Sequence, residues 1–230
     1  MKKLLFTFIM FAVVSISFAQ RLNRVTNSNN GNAVMIGLLL DQNVIMNISQ
    51  NGAVAEWGVD KYADRGQNNF GQRKLEAFDG KVEYYTDKDN EAFKGKIKYI
   101  GRNLVTYYSS SDKEYQIGKI KSIGALKFDY FTNYNDPMLT GKMKIAGSLN
   151  LTYFASYENE AVKGKLKSAG SVGFTYYSSL DDKSIVGKVK SMNGSQFIYA
   201  TTQEQNYPKG SLKSGNQIQV INGITYTIRN

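Results

Sequence analysis

The stretch GKIKSIGALKFDYF, residues 118–131, decides how this chain is read. Its opening phrase, Gly-Lys-apolar-Lys, returns as GKIK at 95–98, GKMK at 141–144, GKLK at 164–167 and GKVK at 187–190. The leading glycines, Gly95, Gly118, Gly141, Gly164, Gly187 and Gly210, stand 23 residues apart without a break. Self-similarity at a fixed period marks a repeat array in which each unit is one supersecondary element. Within the unit, Ile120 alternates with Lys119 and Lys121, and Leu126, Phe128 and Tyr130 alternate with Lys127 and Asp129. A period of two argues for strands on both halves, hence a β-hairpin followed by a polar loop. The fold class expected is all-β: an elongated antiparallel meander sheet built from six or seven 23-residue hairpins over residues 73–215.

The connection inside each hairpin is informative. Its key position holds Gly101, Gly124, Gly147, Gly170, Asn193 and Asn216, the residue types that a left-handed backbone accepts. If both strands alternate regularly, a two-residue turn at Gly124-Ala125 sets Ile120 beside Asp129 and mixes the faces. An odd, three-residue loop places Ile120, Leu126, Phe128 and Tyr130 on one face, so the pattern predicts the odd loop. The glycine before each lysine then shares the inward face, where a ring such as Tyr130 is expected to lie over it.

Around the array the chain divides further. Lys2-Lys3, an apolar run from Leu4 to Val14 and the small-x-small triplet Ser17-Phe18-Ala19 read as a secretory signal peptide over 1–19. Export places the protein in the periplasm or outside the cell, and loss of Lys2 and Lys3 lowers the net charge from +10 to +8. Residues 20–32 read as a flexible lead and 33–72 as N-terminal strands, with a turn at Asn51-Gly52. Residues 216–230 read as a closing hairpin around Asn222-Gly223. Tyr84-Tyr85-Thr86, 23 residues before Tyr107-Tyr108-Ser109, marks a degenerate capping unit.

The paired aromatics Tyr107-Tyr108 and Tyr176-Tyr177, each followed by a polar turn and then by Gly118–Lys121 or Gly187–Lys190, resemble the MORN-type repeats of bacterial proteins. The resemblance covers roughly residues 73–215, although a longer acidic loop replaces the tight Asn-Gly turn and no Tyr-x-Gly-x-Trp signature is present. It implies an open, twisted antiparallel sheet and a scaffolding or interaction role, with lipid contact proposed for some members.

The chain has no cysteine and no histidine, which removes disulfides, the commonest metal ligand and the commonest general base. No cofactor is expected. Asp112, Asp136, Glu158 and Asp181 fit no calcium-loop spacing and read as turn residues. Asp181-Asp182 and Glu158/Glu160 are paired carboxylates by residue type alone, and the chain is read as non-enzymatic. The candidate site is instead a lysine grid on one sheet face. One row is Lys96, Lys119, Lys142, Lys165 and Lys188; the other is Lys98, Lys121, Lys144, Lys167, Lys190 and Lys213. Tyr108, Phe131, Phe154 and Tyr177 share the lysine-bearing parity, either exposed among the lysines or packed against a second layer. Lysines with interleaved aromatics suit an anionic polysaccharide or lipopolysaccharide. An envelope protein docking on the sheet is the other partner considered, and nucleic acid is not expected after export. An outer-membrane barrel would need longer strands with an apolar outward band.

Overall fold

The computed structural model describes residues 20–60 and 75–229. The expected signal segment lies outside these residues, as do the last residues of the N-terminal region and the first of the capping unit. The protein is all-β. One sheet has eleven strands in sequence order, each antiparallel to the next. They are β5 (Val82–Tyr84), β6 (Ile97–Ile100), β7 (Asn103–Tyr107), β8 (Ile120–Ile123), β9 (Leu126–Tyr130) and β10 (Met143–Ala146). The run continues with β11 (Leu149–Tyr153), β12 (Leu166–Ala169), β13 (Val172–Tyr176), β14 (Val189–Met192) and β15 (Ser195–Gln196). A short pair, β16 (Ile198–Tyr199) and β17 (Leu212–Ser214), follows it.

The left-handed positions are where the sequence puts them: Gly101, Gly124, Gly147, Gly170 and Asn193 have φ between 48° and 60°. Asn216 does not share the conformation, and the chain there leaves β17 for the other sheet. The loop length differs from expectation. Ile123 pairs with Leu126 and Ser122 with Lys127, so the turn is the two-residue Gly124-Ala125. The faces stay unmixed because the strand is not regular. Across β7 and β8, Thr106 pairs with Ser122 but Tyr107 pairs with Ile120, which is a β-bulge at Lys121-Ser122. The extra residue shifts the parity by one, and Ile120 and Ile123, three apart, are both fully buried. Met143/Ala146, Leu166/Ala169 and Val189/Met192 repeat the arrangement.

The glycine before each lysine is not a strand residue under a ring. Gly118 has φ +70° and lies in the turn that precedes β8, donating its N–H to Tyr108 O at 2.9 Å.

The second sheet covers the inward face of the array. Its order is β18-β19-β1-β2-β3-β4, built from β1 (Arg21–Ser28), β2 (Val34–Leu39), β3 (Val44–Ser49), β4 (Val54–Val59), β18 (Ile218–Ile221) and β19 (Ile224–Arg229). The expected flexible lead is therefore β1, an interior strand, paired antiparallel with β2 and parallel with β19. A bulge between Leu22 and Arg24 breaks its alternation, which is why its sequence does not read as a strand. Asn222 and Gly223, at φ 50° and 76°, turn the β18–β19 hairpin.

The two sheets share one core, a single buried cluster that includes Ile36, Leu38, Met46 and Ile48 of one sheet and Ile120, Ile123, Leu166 and Val172 of the other. Each such side chain, fully buried, contributes roughly 1.5–3 kcal/mol. The same strands also serve the junction. The N–H groups of the first strand residues, just before the bulges, donate to carbonyls of the covering sheet's turns: Ile120 N to Gly52 O at 3.0 Å, Met143 N to Gln50 O at 2.7 Å and Val189 N to Asn29 O at 2.8 Å. Gly52, at φ +79°, approaches Tyr130 so closely that a Cβ there would sit 2.2 Å from the phenol oxygen.

Candidate binding surface

The structure separates the two lysine rows. Lys96, Lys119, Lys142, Lys165 and Lys188 are half-buried rather than exposed. Lys119 Nζ donates to Gly141 O at 2.5 Å, in the following unit; Lys96 to Gly118, Lys142 to Gly164 and Lys165 to Gly187 do the same at 2.5–2.6 Å. Each ammonium of this row lies 5.1–5.4 Å from the ring centre of Tyr107, Tyr130, Tyr153, Tyr176 or Tyr199. Burial lowers the pKa of Lys96, Lys119, Lys142 and Lys165. This row staples one unit to the next, and it corrects the expectation that both rows line an open face. The left-handed glycine fits the staple: a Cβ on Gly141 would lie 2.5 Å from Lys119 Nζ.

The second row does face solvent. Lys121, Lys144, Lys167 and Lys190 are exposed, and Lys98 is partly so. Lys98, Lys121, Lys167 and Lys190 stand 5.1–5.3 Å over Tyr85, Tyr108, Phe154 and Tyr177. Carboxylates nine residues earlier sit beside this row: Lys98–Asp89 at 4.0 Å, Lys167–Glu158 at 3.2 Å and Lys213–Glu204 at 2.8 Å. Lys121 likewise helps to lower the pKa of Asp112, behind the larger effect of hydrogen bonds from Ser109. At Lys144 the corresponding residue is the neutral Asn135.

The aromatics of lysine parity are not an exposed stacking surface. Tyr108, Phe131, Phe154 and Tyr177 are half-buried, edge-on to Tyr130, Tyr153, Tyr176 and Tyr199 at 5.9–6.1 Å. Tyr108 and Tyr177 also donate to the backbone oxygens of Phe128 and Phe197 at 3.0 and 2.8 Å.

The turns between hairpins are built from their own acids and amides. Asp112 accepts from Ser109 N at 2.7 Å, and Asp181 from Ser178 N at 2.6 Å. The next position along clamps consecutive turns together. Asn90 accepts from Ser110 N at 3.1 Å, Asp136 from Ser156 N at 2.7 Å, Asn159 from Ser179 N at 3.2 Å and Asp182 from Thr202 N at 3.1 Å. Hydrogen bonds from Ser184 and Thr202 hold the Asp182 carboxyl well below the usual range, which suits a clamp and not a general acid. Glu158 and Glu160 are engaged by Lys167 and Lys163. Among the described residues no group of three or more potential metal ligands comes together.

One surface went unread in the sequence. At the turn tips Tyr134, Tyr157 and Leu180 are 92%, 88% and 94% exposed. They occupy one position of the repeat in consecutive units, where earlier and later units carry Lys88, Ser111 and Gln203. Beside Tyr134 a groove of about 750 Å³ runs between two turns, lined by Lys113, Glu114, Tyr115, Asn133 and Tyr134 among others. The 23-residue register was enough to align these tips; their exposure was not, because an apolar residue in a polar loop packs inward as often as it projects. Comparison with known protein families, curated proteins and solved structures returns no match.

Proposed function

We propose that this protein is an exported, non-enzymatic binding module that contacts an anionic envelope or matrix polymer through its uncovered sheet face. The observation that carries the reading is the solvent-facing row Lys121, Lys144, Lys167 and Lys190, one lysine per hairpin unit. Two strands per unit set these ammonium groups ~9.6 Å apart, a spacing that only a ligand extended along the sheet can use in full. The neighbouring carboxylates temper the row, so Lys144, with Asn135 in place of an acid, is its most available cation. The half-buried row is committed to internal bonds and is not part of the contact. The resemblance to MORN-type repeats supports a binding or scaffolding role of this kind. A protein partner docking on the exposed turn tips is the second reading, favoured by Tyr134, Tyr157 and Leu180. A bilayer-spanning barrel is disfavoured because the array strands have two to five residues against the ~9–11 needed.

Replacing Lys121, Lys144 and Lys167 together by Gln tests the reading. Folding should change little, because exposed charges contribute little stability. Binding to an acidic polysaccharide or lipopolysaccharide, measured by titration at several salt concentrations, should weaken several-fold and lose part of its salt dependence. Binding that is absent, or indifferent to both salt and the triple change, rejects the proposal and leaves the turn tips as the docking surface.

A further inference from the structure

The clamp between consecutive turns fails at one place. Asn90, Asp136, Asn159 and Asp182 each offer a side-chain oxygen to the backbone N–H twenty residues on. At the equivalent position stands Lys113, which has no acceptor to offer, and its counterpart twenty residues on is Asn133 where the others have Ser110, Ser156, Ser179 and Thr202. The groove of about 750 Å³ opens between these two turns. Its size is that of a small-molecule site, ~300–1,000 Å³. The missing clamp and the groove fall at the same residues, Lys113 and Asn133.

We propose that this groove seats a carboxylated sugar ring of an acidic polysaccharide. The inference rests on the anionic-polymer reading above and names the ligand's class. Tyr134 presents a nearly free phenol ring beside Tyr115, a platform for the C–H face of a pyranose. The Lys113 ammonium supplies the charge that complements a carboxylate, and both Asn133 and Glu114 can hydrogen-bond sugar hydroxyls. A polyphosphate could use the Lys113 ammonium but has no ring face to lay on Tyr134, and its denser charge is repelled more strongly by the Glu114 carboxylate than a single sugar carboxylate is. The next exposed ring, Tyr157, lies one unit on, ~9.6 Å away by strand spacing, so a glycan leaving the groove can run along the turn tips.

Restoring the clamp tests this directly. The double variant Lys113→Asn with Asn133→Ser recreates the pairs Asn90/Ser110 and Asn159/Ser179; it should raise the urea midpoint and close the groove. A second variant, Tyr134→Ala, changes only an exposed ring and keeps the charge. Titrations use polygalacturonate, inorganic polyphosphate of matched charge and oligothymidylate. The expected result is that both variants weaken polygalacturonate binding by about tenfold, one good contact's worth, while Tyr134→Ala leaves polyphosphate binding unchanged. Undiminished, salt-sensitive polygalacturonate binding by both variants overturns the groove and leaves the lysine-face reading standing. Tighter binding of oligothymidylate than of polygalacturonate overturns the sugar assignment. Failure of the unmodified protein to bind any of the three polymers at low salt rejects both proposals.

Discussion

Lys142→Met isolates the worth of the buried lysine row. Methionine keeps most of the alkyl stem and the packing volume while removing the ammonium. That ammonium donates to Gly164 O at 2.5 Å and lies 5.1 Å from the centre of the Tyr153 ring. A hydrogen bond from a charged donor contributes ~1.5–3 kcal/mol, and a cation over a partly solvated ring ~0.5–1 kcal/mol. Against these stands the cost of half-burying a charge, visible in the lowered pKa of Lys142, which methionine does not incur. The net loss expected is ~1–2 kcal/mol, equivalent to roughly 2–8 °C in melting temperature for a chain of this size. Lys144→Met, two residues along and exposed, is the control and should stay within ~0.5 kcal/mol. Urea denaturation followed by tyrosine fluorescence reads both. Equal stability of the two variants would refute the assignment of the inner row as an interunit staple.

At Gly101, φ is +57° and a Cβ would meet only Gln42 Oε1 at 3.4 Å and Phe78 Cζ at 3.9 Å, so the backbone alone decides the outcome. Gly101→Asn should be nearly neutral and Gly101→Val should cost ~1–2 kcal/mol in the same urea assay; equal tolerance would remove the case for a left-handed turn there. With no histidine in the chain, the urea midpoint should be flat from about pH 5 to pH 9. On the acid side, hydrogen bonds from the backbone hold Asp89, Asp112 and Asp136 below 3.8, and those from Ser184 and Thr202 do the same for Asp182. The stability they contribute is present above that value and is lost as pH falls through their folded values. On the alkaline side, burial raises Tyr107, Tyr130, Tyr153, Tyr176 and Tyr199 above 10.0. The unfolded chain then releases protons that the folded chain keeps, and stability falls above pH 10. The four lysines lowered from 10.5 act in the opposite direction, since the folded chain gives up protons that the unfolded chain holds. They oppose the alkaline loss below 10.5, and a midpoint that fell steadily from pH 7 upward would contradict these directions.

Period and turn chemistry were legible in the sequence because they are local. A left-handed residue leaves its trace at one position, so Gly101, Gly124, Gly147, Gly170 and Asn193 could be picked out singly. Loop length was misread because parity is not local when a bulge intervenes. The clue was there, an apolar residue three places after each apolar one, as in Ile120/Ile123 and Met143/Ala146. Strand β1 was missed for the same reason, its alternation broken between Leu22 and Arg24 and its inward positions including the polar Asn27, which donates to the Tyr176 hydroxyl at 2.9 Å. The lysine rows could not be told apart from spacing. Lys119 and Lys121 are two positions apart and would share a face of a regular strand, but the turn at Gly118 and the bulge at Lys121 leave one ammonium bonded to Gly141 O and the other in solvent.

That division bears on where function is to be sought in such a chain. Outside the solvent-facing lysine row, the side chains that recur from unit to unit in this fold are mostly engaged with a neighbouring unit. The glycine carbonyl takes the inner lysine, the tyrosine ring lies under it, and the turn amide or carboxylate clamps its neighbour. Such groups are occupied by the architecture and have little left to offer a ligand. What remains, besides the outer lysines, is what does not recur: Lys113 where an acceptor belongs, Asn135 where a carboxylate balances the outer lysine, and Tyr134, Tyr157 and Leu180 where other units carry lysine, serine or glutamine. Lys113, Asn133, Tyr134 and Asn135 fall in two consecutive inter-hairpin turns, between β7 and β8 and between β9 and β10. They lie beside the outer lysine that faces an amide instead of an acid, and Tyr157 and Leu180 continue the exposed turn tips in the next two units, so these are the side chains that the architecture leaves available to a ligand.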